Sequence, residues 1–419
     1  VHQYTYDNLG RALADKVTTV GSGVDNAVVR IDRDYEVRGL MSRVVSYSDV
    51  NGTTAVNDVQ RGYNSLGMLY QEYQEHAGAK DGSTLFVQYN CDDTAVSGEL
   101  TKGMRLKSVR YPNTRLQHFT YGSASSAADN LNRLDAIKDD SGGSPGTTVA
   151  QYTWLGQGTM VKEDYQLPGG TLYLDYIGST AGSYAGLDGF DRIVQQRWRS
   201  SGSDWENFNC GYDRVGSRKY RENAVSTSRS ELYAQDNVSR LTRAERGTLN
   251  AGKTALTTKT FGQEWGLDAT GNWSSFKQDD DGNGTWELSQ TRAHNAANEV
   301  TSASSWVSPV HDKAGNMTTV PKPSSLANGY TCKYDAWNRL VEVKDGATVV
   351  GKYEYDGLNR RVKRHFDSDG TGGVDGYEHC YWNEAWQLLE TRETTNVSAA
   401  PESLQPKYQY VWSARYIDA

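Results

Sequence analysis

One phrase constrains this chain more than any other. Tyr334-Asp335-Ala336-Trp337-Asn338-Arg339-Leu340 returns 21 residues later as Tyr355-Asp356-Gly357-Leu358-Asn359-Arg360-Arg361. The order of residue types has a physical reading. Tyr ends a strand, and Asp opens a turn because its carboxylate accepts from backbone amides two residues on. Asn or Gly takes the left-handed conformation that closes a short hairpin loop, and Arg starts the return strand. Between the two phrases, Val341 and Val343 alternate with Leu340, Glu342 and Lys344, the period of two that a strand requires. The unit is a β-hairpin.

A unit that repeats calls for a repeat architecture. The phrase recurs at Tyr6-Asp7 to Arg11, Tyr63-Asn64 to Met68 and Tyr212-Asp213 to Ser217. Weaker copies begin at Tyr35-Glu36, Asp188, Asp236 and His311-Asp312. Hairpins of this kind pack on their neighbours in sequence, so no division into globular domains is needed. The expected organisation is a repeat sheet over 1–329 and further repeats over 330–419. The chain has 27 Tyr against 7 Phe and only 37% hydrophobic residues. Tyr carries an apolar ring with a polar tip, which suits a sheet whose faces are both partly wet. The expected class is all-β with almost no helix. Helical turns are expected only at Arg243 to Asn250 and Arg292 to Val300.

Several functions are disfavoured. Net charge is −8, and no run of Lys and Arg interleaves with aromatics, which argues against a nucleic-acid partner. No apolar run approaches the roughly 18 residues of a membrane-spanning helix. The chain begins inside a repeat and ends just after the strand-like YVWSARYID, so both ends look cut from a longer polypeptide. Cys91, Cys210, Cys332 and Cys380 lie far apart with no CxxC pair. Cys210 and Cys332 read as small buried residues, and a disulfide pairing stays open. There is no GxSxG, HExxH or GxGxxG motif, and the seven histidines lack ligand spacing. One P-loop-like string, Gly247 to Thr254, has neither the apolar strand before it nor the helix after it that a phosphate cradle needs. Asp–Arg contacts such as Asp356 with Arg360 read as surface pairs worth about 0.2–1 kcal/mol. Trp154, Trp198, Trp205, Trp286, Trp306 and Trp382 could stack on sugars, although strands favour Trp for packing alone.

No cofactor is required, but a structural calcium ion is a candidate. Counted from Asp367, oxygen ligands fall in the order of a twelve-residue calcium loop: Asp367, Asp369, Thr371, the carbonyl of Gly373, Asp375 and Glu378. A second loop offers Asp279, Asp281, Asn283, Thr285 and Glu287, with Gln290 at the twelfth position, and should bind more weakly. An acidic, Gly-rich hairpin loop without metal is the alternative.

From Tyr6 onward the sequence resembles the Rhs/YD-repeat family, which includes bacterial Rhs proteins, the shells of ABC toxin complexes and the teneurins. The resemblance is sharpest in YDAWNRLVEV, YEYDGLNRRV, EAWQLLETRE and YVWSARYID, which look like the lead-in to an Rhs-associated core, here truncated. It implies hairpins in a long, spiralling sheet, part of a hollow shell around a C-terminal toxin or variable domain of the same polypeptide. Family members that cleave themselves use aspartates downstream of the YVWSARYID-like segment, so no catalytic residue is carried over. The implied role is a non-catalytic scaffold, bacterial and secreted or at the cell surface. Teneurin-like relatives suggest the alternative of an adhesin that binds cell-surface glycans.

Overall fold

The computed structural model describes residues 1–91, 105–167, 170–177 and 182–413. Most of the YVWSARYID segment lies outside them. The chain is all-β, as the repeats require. Among the described residues, helix is confined to one turn at Ala127–Asn130 and 3-10 turns at Thr227–Arg229 and Pro401–Ser403. Cys210, Cys332 and Cys380 are buried free thiols.

Two compact units are present. The first comprises Val1–Thr120, Lys138–Thr147 and Val310–Ala419; the second comprises Tyr121–Ile137 and Thr148–Pro309. The first unit contains two antiparallel meanders. One runs from His2–Tyr6 to Leu116–Thr120, the other from Val310–His311 to Tyr408–Gln409, with strands pairing in sequence order. The second unit is a meander of the same kind, through to Val300–Ala303.

The turn chemistry is that of the repeat phrase. Asp7 Oδ1 accepts from the amides of Leu9 and Arg11, both at 2.9 Å, while Oδ2 takes Arg11 Nε at 2.6 Å. Gly10 closes the loop with φ +78°. Asp356 repeats this with Leu358, Arg360 and Asn359 (φ +67°). The register shifts just before the Tyr in each case, giving a five-residue loop on a bulge.

Neighbouring hairpins are tied by the two residues that flank the turn. The Tyr hydroxyl of one repeat donates to the carbonyl just after the Arg position of the repeat before it. The pairs are Tyr35 to Ala12 (3.1 Å), Tyr63 to Met41 (2.8 Å), Tyr212 to Ile193 (2.8 Å) and Tyr355 to Leu340 (2.9 Å). In the other direction, Arg339 Nη1 donates to the Asp356 carbonyl at 2.9 Å, and its guanidinium lies 5.2 Å from the Tyr355 ring centre. Arg192 and Arg240 make the same link to Asp213 and Asp268. Phe could supply the ring but not the hydroxyl, which accounts for Tyr at this position beyond its tolerance of a wet face.

Both expected helical turns are absent. Arg243 to Asn250 lies almost wholly in the strand Leu241–Leu249, paired on both sides. Arg292 to Val300 ends the strand Leu288–His294 and forms another repeat turn, where Asn295 Oδ1 accepts from the amides of Ala297 and Glu299. Asn replaces Asp there, and cross-strand pairing overrides the weak helical preference.

Candidate functional site

The most distinctive site is the seam inside the first unit, where turns of the second meander dock on strands of the first. Trp337 and Leu358, each two residues after a turn aspartate, pack against buried Val28, Ile31 and Val44. Trp337 Nε1 donates to Asp15 Oδ2 at 2.7 Å, and Asn57 Nδ2 to the Tyr355 carbonyl at 2.8 Å. Gln74 is bonded twice to the backbone of Trp382, through its carbonyl (2.6 Å) and its amide (3.0 Å). Further along, Leu389 joins Leu69, Val87, Tyr89, Val109 and Tyr111 in one apolar cluster. Tyr111 donates its hydroxyl to the Tyr410 carbonyl at 2.7 Å.

At the centre is a buried charge network. Arg360 Nη1 lies 2.6 Å from Glu72 Oε1, Arg360 Nε lies 2.8 Å from Asp356 Oδ2, and Arg61 Nε lies 2.7 Å from Glu72 Oε2. Asp356, Arg360 and Glu72 are fully or almost fully buried. Burial pushes the Glu72 carboxyl up, but Arg360 and Arg61 outweigh it and hold Glu72 below the usual carboxylate range. The reading of Asp356 with Arg360 as a surface pair is therefore corrected. The turn itself is ordinary, but a strand 288 residues away in sequence covers it and supplies a second carboxylate.

The acidic loops fold alike. Asp367 accepts from the amides of Gly370 and Gly372, as Asp279 does from Gly282 and Gly284. At the ninth position, Asp375 accepts from the Ser368 amide and Glu287 from the Asp280 amide. Each loop gathers three carboxylates, Asp367 with Asp369 and Asp375, and Asp279 with Asp281 and Glu287. In each set one oxygen per residue lies within 4.8 Å of the others. That spacing suits a hard cation. Glu378 stands apart, on the strand Gly376–Trp382, with Arg364 at 3.0 Å. Asp279 already has Lys259 at 2.8 Å. Thr371, Gly373, Asn283 and Thr285 are not part of either carboxylate group.

Other candidates disperse. The P-loop-like string ends the strand Leu241–Leu249 and forms the hairpin turn before the strand Leu256–Leu267, and Lys253 is ion-paired with Glu222. Trp205 is exposed, whereas Trp154, Trp198 and Trp382 on strands and Trp286 and Trp306 in loops are half-buried. Trp382 Nε1 donates to the Arg361 carbonyl and Trp154 Nε1 to the Leu134 carbonyl, so both serve packing.

Comparison with known proteins agrees with this geometry. The family model for the RHS Repeat matches residues 334–371, which span the paired phrases and the Asp356–Arg360 turn of the seam. That stretch is an Rhs-type repeat. The fold of the chain is similar to that of the Photorhabdus luminescens Tc holotoxin pore (TM-score 0.60, 13% identity, 94% of this chain and 20% of that one). It is equally similar to the TcdB2-TccC3-Cdc42 crystal structure (TM-score 0.61, 13% identity, 94% and 21%). The TcdB2-TccC3 crystal structure gives TM-score 0.59, again at 13% identity with 94% and 21% covered. The chain spans about one fifth of the length of these structures. No curated protein sequence matches it.

Proposed function

We propose that this chain is an Rhs/YD-repeat protein and part of the wall of a shell that encloses a toxin or other variable domain carried C-terminally on the same polypeptide. The observation that carries the reading is the seam, where strands near the start meet turns near the end across 288 to 334 positions of sequence. Two sheets that close on one another cover surface which an open strip would expose to aggregation. The role is structural and the setting bacterial and secreted; no residue is assigned a catalytic task. No helix among the described residues is long and apolar enough to cross a membrane.

The test is to express the chain extended through its natural C-terminus and probe the downstream segment with protease. A segment that stays protected until the seam is disrupted by Arg360→Ala supports the shell. One that is cut freely in the intact protein removes it and favours the glycan-binding adhesin. A structural calcium ion held by Asp367, Asp369 and Asp375 is a second proposal, with the Asp279 loop weaker because Lys259 neutralises it. Calorimetric titration with calcium, wild type against Asp369→Ala, decides it; no binding heat, or equal heats, removes the site.

A further inference from the structure

The seam contains a pair of buried histidines outside the Arg360 charge network. His76 follows the strand Leu69–Glu75 of the first meander, and His379 lies on the strand Gly376–Trp382 of the second. Their Nδ1 atoms are 3.2 Å apart. The ring centres are 5.4 Å apart and the planes differ by only 7°. That separation is close to the N···N distance plus the two ring radii, so the imidazoles meet edge to edge. One Nδ1 must donate and the other accept. Tyr381 covers the His76 ring at 4.5 Å, and the pair is shut away from water.

An edge-to-edge pair tolerates only one proton between its nitrogens. Doubly protonated, it would set two N–H groups and two positive charges against each other without solvent. The surroundings make this worse. His379 sits in register between Lys363 on one neighbouring strand and Arg392 on the other. Arg360 adds a third cation acting on His76. Acidic groups are near as well, but engaged. Glu354 holds Lys363 and His365, and Glu75 accepts from Thr84 Oγ1 and the Ala77 amide. Glu402 acts on the covering Tyr381 and is itself pushed up by burial. His76 Nε2 is buried with no partner, so no carboxylate stands ready to stabilise an imidazolium there.

We propose that His76 and His379 form an acid-sensitive latch, which joins the two meanders while the pair is neutral and opens the seam when both rings are protonated. Burial, then the neighbouring positive groups, drive His379 down to about 4 and His76 well below its ordinary value. Both pKa values are depressed in the closed state and return towards about 6.5 in the open one. The open state therefore binds more protons, and closure is lost as pH falls from about 6.5 towards 4. With two histidines released, the opening equilibrium rises about a hundredfold between pH 7.5 and 5.5. This window lies above the range in which ordinary carboxylates titrate.

The experiment is amide hydrogen exchange on the full chain from pH 7.5 to 5.5, corrected for intrinsic rates. The strands Leu69–Glu75 and Gly376–Trp382 should open about a hundredfold more at pH 5.5, and Ser230–Gln235 of the second unit should not change. His379→Phe should reduce the rise to about tenfold or less. A rise below threefold in wild type, an equal rise at Ser230–Gln235, or an unchanged rise in His379→Phe overturns the latch. Should that variant fail to fold, the titration of His76 in the wild-type protein decides. A midpoint well below 6 supports the proposal and one near 6.5 overturns it.

Discussion

The turns Asp7–Arg11 and Asp356–Arg360 are the same object in two settings. Both aspartates accept the same two amides and the same Arg Nε. Yet Leu9 is 78% exposed, whereas its counterpart Leu358 packs on Val28, Ile31 and Val44. Arg11 remains partly solvated, while Arg360 is sealed between two carboxylates. Local chemistry makes the turn. What lies across from it decides whether its charges and its apolar tip matter to stability.

The largest expected effect tests the charges. Arg360→Ala leaves buried Asp356 without its cation and Glu72 with Arg61 alone, and should destabilise the first unit by about 3–5 kcal/mol. Arg11→Ala should barely change it. Chemical denaturation of both variants measures the difference, and equal losses would break the comparison. Next comes Gly357, where an added Cβ would lie 2.3 Å from Val44 Cγ1. Overpacking puts Gly357→Ala at roughly 1–3 kcal/mol. A result near zero would mean the seam yields more easily than its packing implies.

Smaller effects sharpen the contrast. Leu358→Ala should cost about 1–2 kcal/mol, less than the full burial of a Leu side chain provides, because Leu358 is only half-buried. Leu9→Ala should stay within about 0.5 kcal/mol, as for an exposed position. Thermal unfolding of the two distinguishes them. The smallest effect concerns the tie between repeats: Tyr355→Phe removes the hydroxyl bond to Leu340 and should cost about 0.5–1.5 kcal/mol. The same loss is expected for Tyr63→Phe, whose bond to Met41 is equivalent. Unequal losses would show that the seam, and not the repeat, sets the value of that bond.

The sequence by itself determined the hairpin, its turn and its repetition, because each rests on partners two to five positions apart. Asp or Asn to the following amides, Gly or Asn at positive φ, and strand alternation are all local. The three-carboxylate groups of the acidic loops were legible because each lies within nine consecutive residues. The link from each Tyr hydroxyl to the previous repeat had a signal in the excess of Tyr over Phe, read as tolerance of water instead. The two helical turns were misread because a short segment's weak preference yields to the strands beside it.

Only the tertiary structure decided which turns are buried. Leu9 and Leu358 occupy the same place in the phrase, and Arg11 and Arg360 make the same local bond. Nothing within either phrase says that Glu72, 288 residues from Arg360, will complete its pairing, or that His76 will face His379 across 303. Those contacts depend on how the twist accumulated along each meander of the first unit presents its strands to the other. That sum is a property of the whole meander and leaves no mark on any single repeat.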